Sequence, residues 1–145
     1  MTGDRPPAII VHSVEQALAA AAAASDLASP LVLRSAPGAG SYLGVGWFMA
    51  LTELLAARFP ALTATIVLDC ADEAGTAMGA LRRGLKHVRF TGRPDVAAKL
   101  AAIAAAQGAA LDDDPRPPLD LLGRVDPGAD ARAWLAGCSS AGPPD

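Results

Sequence analysis

The stretch "TIVLDCADEAGTAMGALRRGLKHVRFTG", residues 65–92, contains one complete strand–helix–strand unit of this chain. Its first apolar run ends in Asp69-Cys70, and its second ends in Thr91-Gly92. Short apolar runs with β-branched residues are typical of buried strands. The segment between them predicts a helix closed by Gly84, because glycine readily adopts the left-handed conformation that follows a helix. The stretch therefore predicts two parallel strands joined by a helix.

The same unit is predicted along most of the chain. The predicted strands are residues 8–13, 30–36, 64–70, 87–92 and 109–113, and the predicted helices are residues 14–28, 47–59, 73–84 and 94–108. Repeated strand–helix units build parallel sheets with right-handed crossovers. The predicted fold class is therefore α/β, either an open doubly wound sheet or part of a (βα)8 barrel. In both architectures, ligands bind at the edge formed by the C-terminal ends of the strands.

The composition changes after residue 114. The region 115–145 begins with the proline-rich stretch "PRPPLDLLGRVDPG", and residues 129–137 predict one short helix. We expect residues 1–114 to form the βα domain. We expect residues 115–145 to pack on that domain or to be partly disordered.

Net charge limits the classes of partner. The chain has 145 residues and a formal net charge of -3. Its densest basic group is Arg82, Arg83 and Lys86, and cations at the end of a helix are favourable without any ligand. Nucleic-acid binding requires a clustered basic surface, so no nucleic-acid partner is expected.

Sequence features also bear on location. No apolar run reaches the 18 or so residues of a membrane span, and the first ten residues lack the pattern of a signal peptide. The two cysteines, Cys70 and Cys138, lie far apart and do not indicate a disulfide framework. We therefore expect a reduced, cytoplasmic protein without membrane contact.

Asp69 and Cys70 are the residues with the clearest chemical potential. A carboxylate at the end of a strand can act as a general base, a metal ligand or a cap for the next helix. Cys70 can be a thiolate ligand or a small buried residue. His12, at the end of the first predicted strand, is a second candidate metal ligand. A catalytic zinc site needs three protein ligands, and the sequence alone does not supply the third.

The glycine-rich stretch "PGAGSYLGVG", residues 37–46, has two interpretations. Its backbone N–H groups can approach an anion at the start of the following helix, or its glycines can simply form turns. It matches neither of the established phosphate-binding glycine motifs. The candidate ligand-binding residues of the C-terminal edge are Ser35, Gly38, Gly40, Ser41, Thr91 and Gly92. A phosphoacceptor receiver domain also places an aspartate after strand three, but here His12-Ser13 stands in place of its acidic pair.

Three segments of the chain resemble the N-terminal half of class II fructose-bisphosphate and tagatose-bisphosphate aldolases. They are "AIIVHSVEQ" (residues 8–16), "SPLVLRSAPGAGSYLG" (residues 29–44) and "VLDCADEAGTAMGALRRGLKHVRFTG" (residues 67–92). With helix four and "AALDD", the resemblance covers about residues 8–113. It implies half of a TIM-type (βα)8 barrel, or an open sheet derived from one, and a zinc cofactor in the intact enzyme.

The departures from this family concern the site. Asp69 falls on the catalytic aspartate of the family, whereas Cys70 falls on its first zinc-binding histidine. Ala36 falls where the family usually has a substrate-binding serine, and Thr91-Gly92-Arg93 replaces Asp-Gly-Ser. The chain also ends before the strands that supply the other zinc ligands and most of the phosphate site.

Two functions are consistent with these features. The first is a non-catalytic aldolase-like protein that binds a small phosphorylated or carbonyl ligand, or a protein partner, without a cofactor. The alternative is a divergent zinc-dependent aldehyde-lyase completed in a dimer, with Asp69 as acid–base and Cys70 and His12 as metal ligands. A half-barrel exposes apolar edges, so we expect a homodimer or closure by the C-terminal segment. The apolar residues available for that closure are Leu119, Leu121, Leu122 and Trp134.

Overall fold

Strands and helices alternate along the chain in a computed structural model that describes residues 5–140, with side chains up to Cys138. The strands are β1 Ile9–Ile10, β2 Leu31–Arg34, β3 Ala64–Asp69, β4 His87–Arg89, β5 Ala110–Leu111 and β6 Leu119–Asp120. The helices are α1 Val14–Asp26, α2 Val45–Arg58, α3 Ala74–Arg82, α4 Pro94–Ala106 and α5 Pro127–Ser140. A short 3-10 turn, Ala39–Ser41, lies between β2 and α2. The succession of βα units expected from the sequence is confirmed.

The strands form a six-stranded sheet in the order β5-β4-β3-β2-β1-β6. Strand β4 is parallel to both β3 and β5, and β6 is parallel to β1. In the β3–β4 pair, Asp69 is in register with Arg89, and in the β1–β6 pair Ile10 is in register with Asp120. Residues in register on neighbouring strands point to the same face of a sheet. The predicted α/β class with parallel strands is therefore confirmed, and its register brings Asp69 and Arg89 side by side.

The predicted helix ends follow from local chemistry. Ser13 caps α1, because its Oγ accepts a hydrogen bond of 3.1 Å from the N–H of Gln16. This bond satisfies one of the N–H groups that have no partner within the helix. Pro94 stands at the start of α4, where its fixed φ suits the first turn. Gly84 adopts a φ of +98° after α3, as expected for a residue that ends a helix.

The region after residue 114 differs from its sequence-based description. Leu119–Asp120 forms strand β6, whereas no strand was expected in this proline-rich stretch. The N–H of Leu119 donates to Ala8 O at 2.9 Å, and the N–H of Leu121 donates to Ile10 O at 3.0 Å. Helix α5 spans Pro127–Ser140 and is longer than predicted. In the part of the chain that the structure describes, no helix combines the length and apolarity needed to cross a bilayer.

The chain divides into two compact units. The first unit consists of the described parts of Met1–Leu33 and Arg116–Asp145 together with Glu53–Thr65, and the second consists of Arg34–Thr52 and Ile66–Pro115.

In the first unit, helix α1 packs against helix α5. The buried face of α1 consists of alanines: Ala17, Ala20, Ala21, Ala23 and Ala24. Small side chains allow two helix backbones to approach closely, which explains why this alanine-rich segment is useful to the fold. Leu121 and Leu135 are fully buried in this unit, and the indole N–H of Trp134 donates to Pro7 O at 3.2 Å.

The second unit has its own apolar core. Its buried side chains include Phe48, Leu51, Val67, Leu68, Leu81, Val88 and Leu100. They come from both strands and helices, as expected for a sheet covered by helices. At the C-terminal ends of β2, β3, β4 and β5 this apolar core gives way to charged side chains.

Candidate functional site

Asp69 lies at the end of β3 in the second unit, and its carboxylate is engaged by backbone N–H groups. Oδ1 accepts from the N–H of Ala71 at 2.8 Å and from the N–H of Gly38 at 3.2 Å. The residue is only 5% exposed. Asp69 therefore ties the loop after β2 to the turn after β3, which is a local capping role.

Ser35 supports the same arrangement from the neighbouring strand end. Its Oγ accepts from the N–H of Asp69 at 2.8 Å and donates to Ala36 O at 3.1 Å. The side chain is fully buried. In this conformation its hydrogen bonds are made within the chain, and its assignment as a ligand-binding residue stays a prediction.

The glycine-rich loop contains three of the predicted ligand-binding residues. Gly38 has a φ of +74°, a conformation that suits glycine, and it directs its N–H towards Asp69. Gly40 lies against the side chains of Cys70 and Thr76, where an added Cβ would meet Sγ and Cγ2 at 3.0 Å. Ser41 is exposed, and its Oγ donates to Gly38 O at 2.8 Å. The requirements of packing and turn formation therefore account for Gly38 and Gly40 without a ligand.

Thr91 and Gly92 follow β4 at the same edge. The N–H of Thr91 donates to Ala71 O at 2.7 Å, and the Thr91 side chain is exposed. A Cβ on Gly92 would stand 2.4 Å from Cζ of Phe90, so glycine leaves space for that ring. Thr91 is thus available to a ligand, whereas Gly92 has a packing reason of its own.

Ala71 has an unusual backbone conformation at this edge. Its φ is +50°, in the left-handed region that residues with a Cβ adopt only at a cost. Its N–H donates to Asp69 Oδ1 and its carbonyl accepts from Thr91. These two hydrogen bonds hold the strained turn and link the ends of β3 and β4.

Cys70 is a buried thiol in this structure. Its side chain is fully buried, with Sγ 3.9 Å from Leu68 O. Burial, followed by the nearby charges of Asp69 and Glu73, raises the pKa of the Cys70 thiol to about 12. Within residues 5–140, no three His, Cys, Asp or Glu residues are grouped so that they could hold a metal ion.

His12 belongs to the first unit, where it pairs with a carboxylate. Its Nε2 lies 2.7 Å from Asp120 Oδ1, and its backbone N–H donates to Gln16 Oε1 at 2.7 Å. Burial alone would raise the pKa of Asp120, but the hydrogen bonds from Leu122 N–H and His12 and the nearby charges lower it overall. In the described residues neither His12 nor Cys70 is grouped with two further potential ligands, so the structure lends no support to the zinc implied by the resemblance, and the assignment of these residues to a metal stays a prediction.

An ion-pair network at the C-terminal edge was not anticipated from the sequence. Asp112 Oδ2 accepts from Arg34 Nη2 at 3.1 Å and from Arg89 Nη1 at 3.0 Å. Arg89 also approaches Asp69, the candidate catalytic residue, with its Nε 3.9 Å from Asp69 Oδ2. All four residues belong to the second unit, and their formal charges cancel. We call Arg34, Asp69, Arg89 and Asp112 the arginine–aspartate cluster.

A sequence signal for this cluster exists. Arg34 ends the otherwise apolar strand β2 in "LVLRSA", and Arg89 follows the buried Val88 in "HVRFTG". Arginine is rarely buried unless it is paired, so an arginine in a buried strand predicts a carboxylate partner nearby. The partner Asp112 is less predictable, because it follows β5 and meets Arg34 only through the arrangement of the sheet.

The burial of Cys70 leads to a test of thiol reactivity. Because the pKa of its thiol is raised, Cys70 should stay protonated at mildly alkaline pH, where an exposed cysteine with a pKa of about 8.5 forms thiolate. We expect iodoacetamide to modify the partly exposed Cys138 and to leave Cys70 intact, as read by mass spectrometry of the folded protein. Both should react in denaturant. Equal modification of the two cysteines in the folded chain would contradict the buried position of Cys70.

The comparisons with known proteins concern the fold. No protein-family model matches the chain, and no curated protein matches it. A crystal structure described as that of a candidate fructose-1,6-bisphosphate aldolase from Coccidioides immitis matches with a TM-score of 0.61 and 20% identity. The match covers 76% of this chain and 46% of that protein, so this chain spans less than half of its length. The expected aldolase-like fold is therefore supported. Because the sequence identity is low, the similarity concerns the fold alone.

Proposed function

We propose that this chain is a non-catalytic aldolase-like protein. We infer that it binds a small phosphorylated or carbonyl ligand at the C-terminal edge of the second unit. The main support is the state of Asp69, whose Oδ1 is occupied by the N–H groups of Gly38 and Ala71. A carboxylate with these hydrogen bonds is held in a capping role, and its engaged oxygen is poorly placed to exchange a proton with a substrate. The same edge keeps exposed polar groups on Ser41 and Thr91 that a ligand can contact.

The chemistry of the edge favours a ligand with oxygen acceptors. Arg89 is partly exposed and carries a positive charge that only partly neutralises Asp69, because their nearest atoms are 3.9 Å apart. That distance is longer than a hydrogen bond, so the Nε–H of Arg89 keeps capacity for an acceptor from a ligand. A carbonyl or phosphate oxygen matches such a donor. The homodimer expected from the sequence belongs to the same proposal, and its test is the mass of the protein in solution.

The experiment combines binding and turnover on one protein sample. Fructose 1,6-bisphosphate and tagatose 1,6-bisphosphate are titrated by calorimetry, and triose phosphate release is followed with and without added zinc. We expect saturable binding and no release. Asp69→Asn should keep the fold and the binding, because an amide oxygen can replace Oδ1 as acceptor from Gly38 and Ala71.

Asp72→Asn is the matched control, since Asp72 is exposed and loses the same charge three residues away. Release of triose phosphate that requires zinc and disappears in Asp69→Asn, but not in Asp72→Asn, would support the aldehyde-lyase instead. If the wild-type chain binds neither sugar bisphosphate, the binding proposal itself is contradicted.

A further inference from the structure

Two arginines of the second unit, one buried and one partly exposed, share one carboxylate oxygen. Arg34 Nη2 and Arg89 Nη1 both donate to Asp112 Oδ2, at 3.1 Å and 3.0 Å. The side chain of Arg34 is 6% exposed and that of Arg89 is 18% exposed. Guanidinium groups present several N–H donors in a fixed plane and bind the oxygens of carboxylates and phosphates particularly well. Arg34 and Arg89 therefore form a seat for an oxyanion, which we call the two-arginine seat.

The two-arginine seat has a donor that Asp112 does not satisfy. In the described part of the chain, Nε of Arg34 is buried and has no hydrogen-bond partner. A buried donor without a partner costs free energy, and such a donor calls for an explanation by an additional group at the site. A phosphate or carboxylate offers more acceptor oxygens than the single Oδ2 that Asp112 directs at the seat. The unpartnered Nε thus indicates that the seat can accommodate more acceptors than it now holds.

Asp112 is carried by a weakly supported segment. It directly follows β5, a strand of two residues at the edge of the sheet. Its N–H donates to Val88 O at 2.8 Å, and the next residues lead into the proline-rich stretch that begins at Pro115. Short edge segments with few backbone hydrogen bonds open at lower free energy than central strands do. Moving Asp112 away from the arginines requires the loss of the backbone bond to Val88 and of the hydrogen bonds from Arg89 Nη1 to Asp112 O and Asp114 O, at 3.5 Å and 3.0 Å.

We propose that Asp112 occupies the two-arginine seat as an internal substitute for a ligand anion, and that the phosphate or carboxylate group of a small ligand binds by displacing it. This inference rests on the proposed function and names the group that the edge recognises. Asp112 competes with the ligand for Arg34 and Arg89, so the apparent affinity is lower than the seat alone would give. The contact is autoinhibitory, because it must be broken before the anion enters.

The test removes the competing charge and keeps the arginines. Inorganic phosphate and, separately, acetate are titrated by calorimetry into the wild-type chain and into Asp112→Asn, at equal ionic strength. We expect Asp112→Asn to bind at least one of them roughly tenfold more tightly than the wild type, as expected when a charged competitor leaves the seat. The anion whose affinity increases more shows whether the seat prefers phosphate or carboxylate. Asp113→Asn is the matched control, because Asp113 is exposed and its change should leave both affinities unaltered.

A second variant shows where the anion binds. Adding Arg89→Met to Asp112→Asn should abolish the gain, since the anion loses half of its donors. A gain that survives in this double variant places the anion elsewhere and overturns the inference. Equal affinities of Asp112→Asn and wild type for both anions overturn it as well.

Folding of the variant provides an independent readout. Asp112→Asn takes away the carboxylate that pairs with the buried Arg34, so the variant can lose its fold in chloride buffer. Phosphate or acetate should then restore the fold at the same ionic strength, and failure of both anions to restore it contradicts the proposal. If the wild type binds sugar bisphosphates while Asp112→Asn shows no increase in affinity for phosphate or acetate, this inference fails and the proposed function stands. If Asp112→Asn gains anion affinity while the wild type binds no sugar bisphosphate, the seat exists and the proposed ligand class is wrong.

Discussion

Leu121→Ala is expected to lower the free energy of unfolding by about 2–5 kcal/mol, as is usual for the truncation of a buried leucine. Leu121 is fully buried, and its N–H donates to Ile10 O at 3.0 Å, so it anchors the end of β6 in the core of the first unit. Equilibrium unfolding in urea measures the change. The loss has two parts, the lost burial of the methyl groups and the cavity that remains.

The neighbouring leucine supplies the control for this prediction. Leu122 is 67% exposed, so Leu122→Ala should change the free energy of unfolding by no more than about 0.5 kcal/mol. The two variants remove the same atoms at adjacent positions of the C-terminal region. Equally small effects at both positions would mean that this region does not contribute to the core. Equally large effects would mean that Leu122 is also buried, contrary to its exposed position in the structure.

Gly40→Ala is expected to lower the free energy of unfolding by about 1–3 kcal/mol, the usual cost of overpacking. The new Cβ would meet Cys70 Sγ and Thr76 Cγ2 at 3.0 Å, and the buried thiol has little room to move. Thermal and urea unfolding measure the loss. The result would assign Gly40 to packing over the end of β3, whatever ligand the loop contacts.

Gly79→Ala in helix α3 is the matched control for this change. A Cβ there meets no atom within 4 Å, so the gain in helix propensity should stabilise the protein by up to about 1 kcal/mol. Cys70→Ala together with Thr76→Ser removes both atoms that obstruct the new Cβ. In that background Gly40→Ala should cost much less, and a cost unchanged from the wild-type background would refute the proposed clash.

The fold of the central region could be predicted because its signals are local. Apolar β-branched runs identify β2, β3 and β4, and Ser13, Gly84 and Pro94 define helix ends through their own backbone and side-chain chemistry. The strands are shorter than predicted, although backbone hydrogen bonds such as the one from Cys70 N–H to Arg89 O continue just beyond their ends. Strand β6 could not be predicted, since its two residues become a strand only by pairing with β1.

The candidate site was predictable in part. Asp69 stands at the edge where the sequence places it, and the sequence also indicated capping as one of its roles. The sequence analysis did not find Arg34 and Arg89, although an arginine in a buried strand is itself a signal. The sequence analysis also grouped Cys70 with His12 as metal ligands; the structure pairs His12 with Asp120, and that grouping stays a prediction.

The sequence by itself determined the order of strands and helices, the parallel α/β class and the residues that stand at strand ends. Those features depend on the periodicity of apolar residues and on local backbone preferences, which act over a few neighbouring positions. Only the tertiary structure decided that Asp112 meets Arg34, a hydrogen bond between residues 78 positions apart. Such contacts depend on strand order and register, and the cost of burying a charge then selects the nearest opposite charge as its partner.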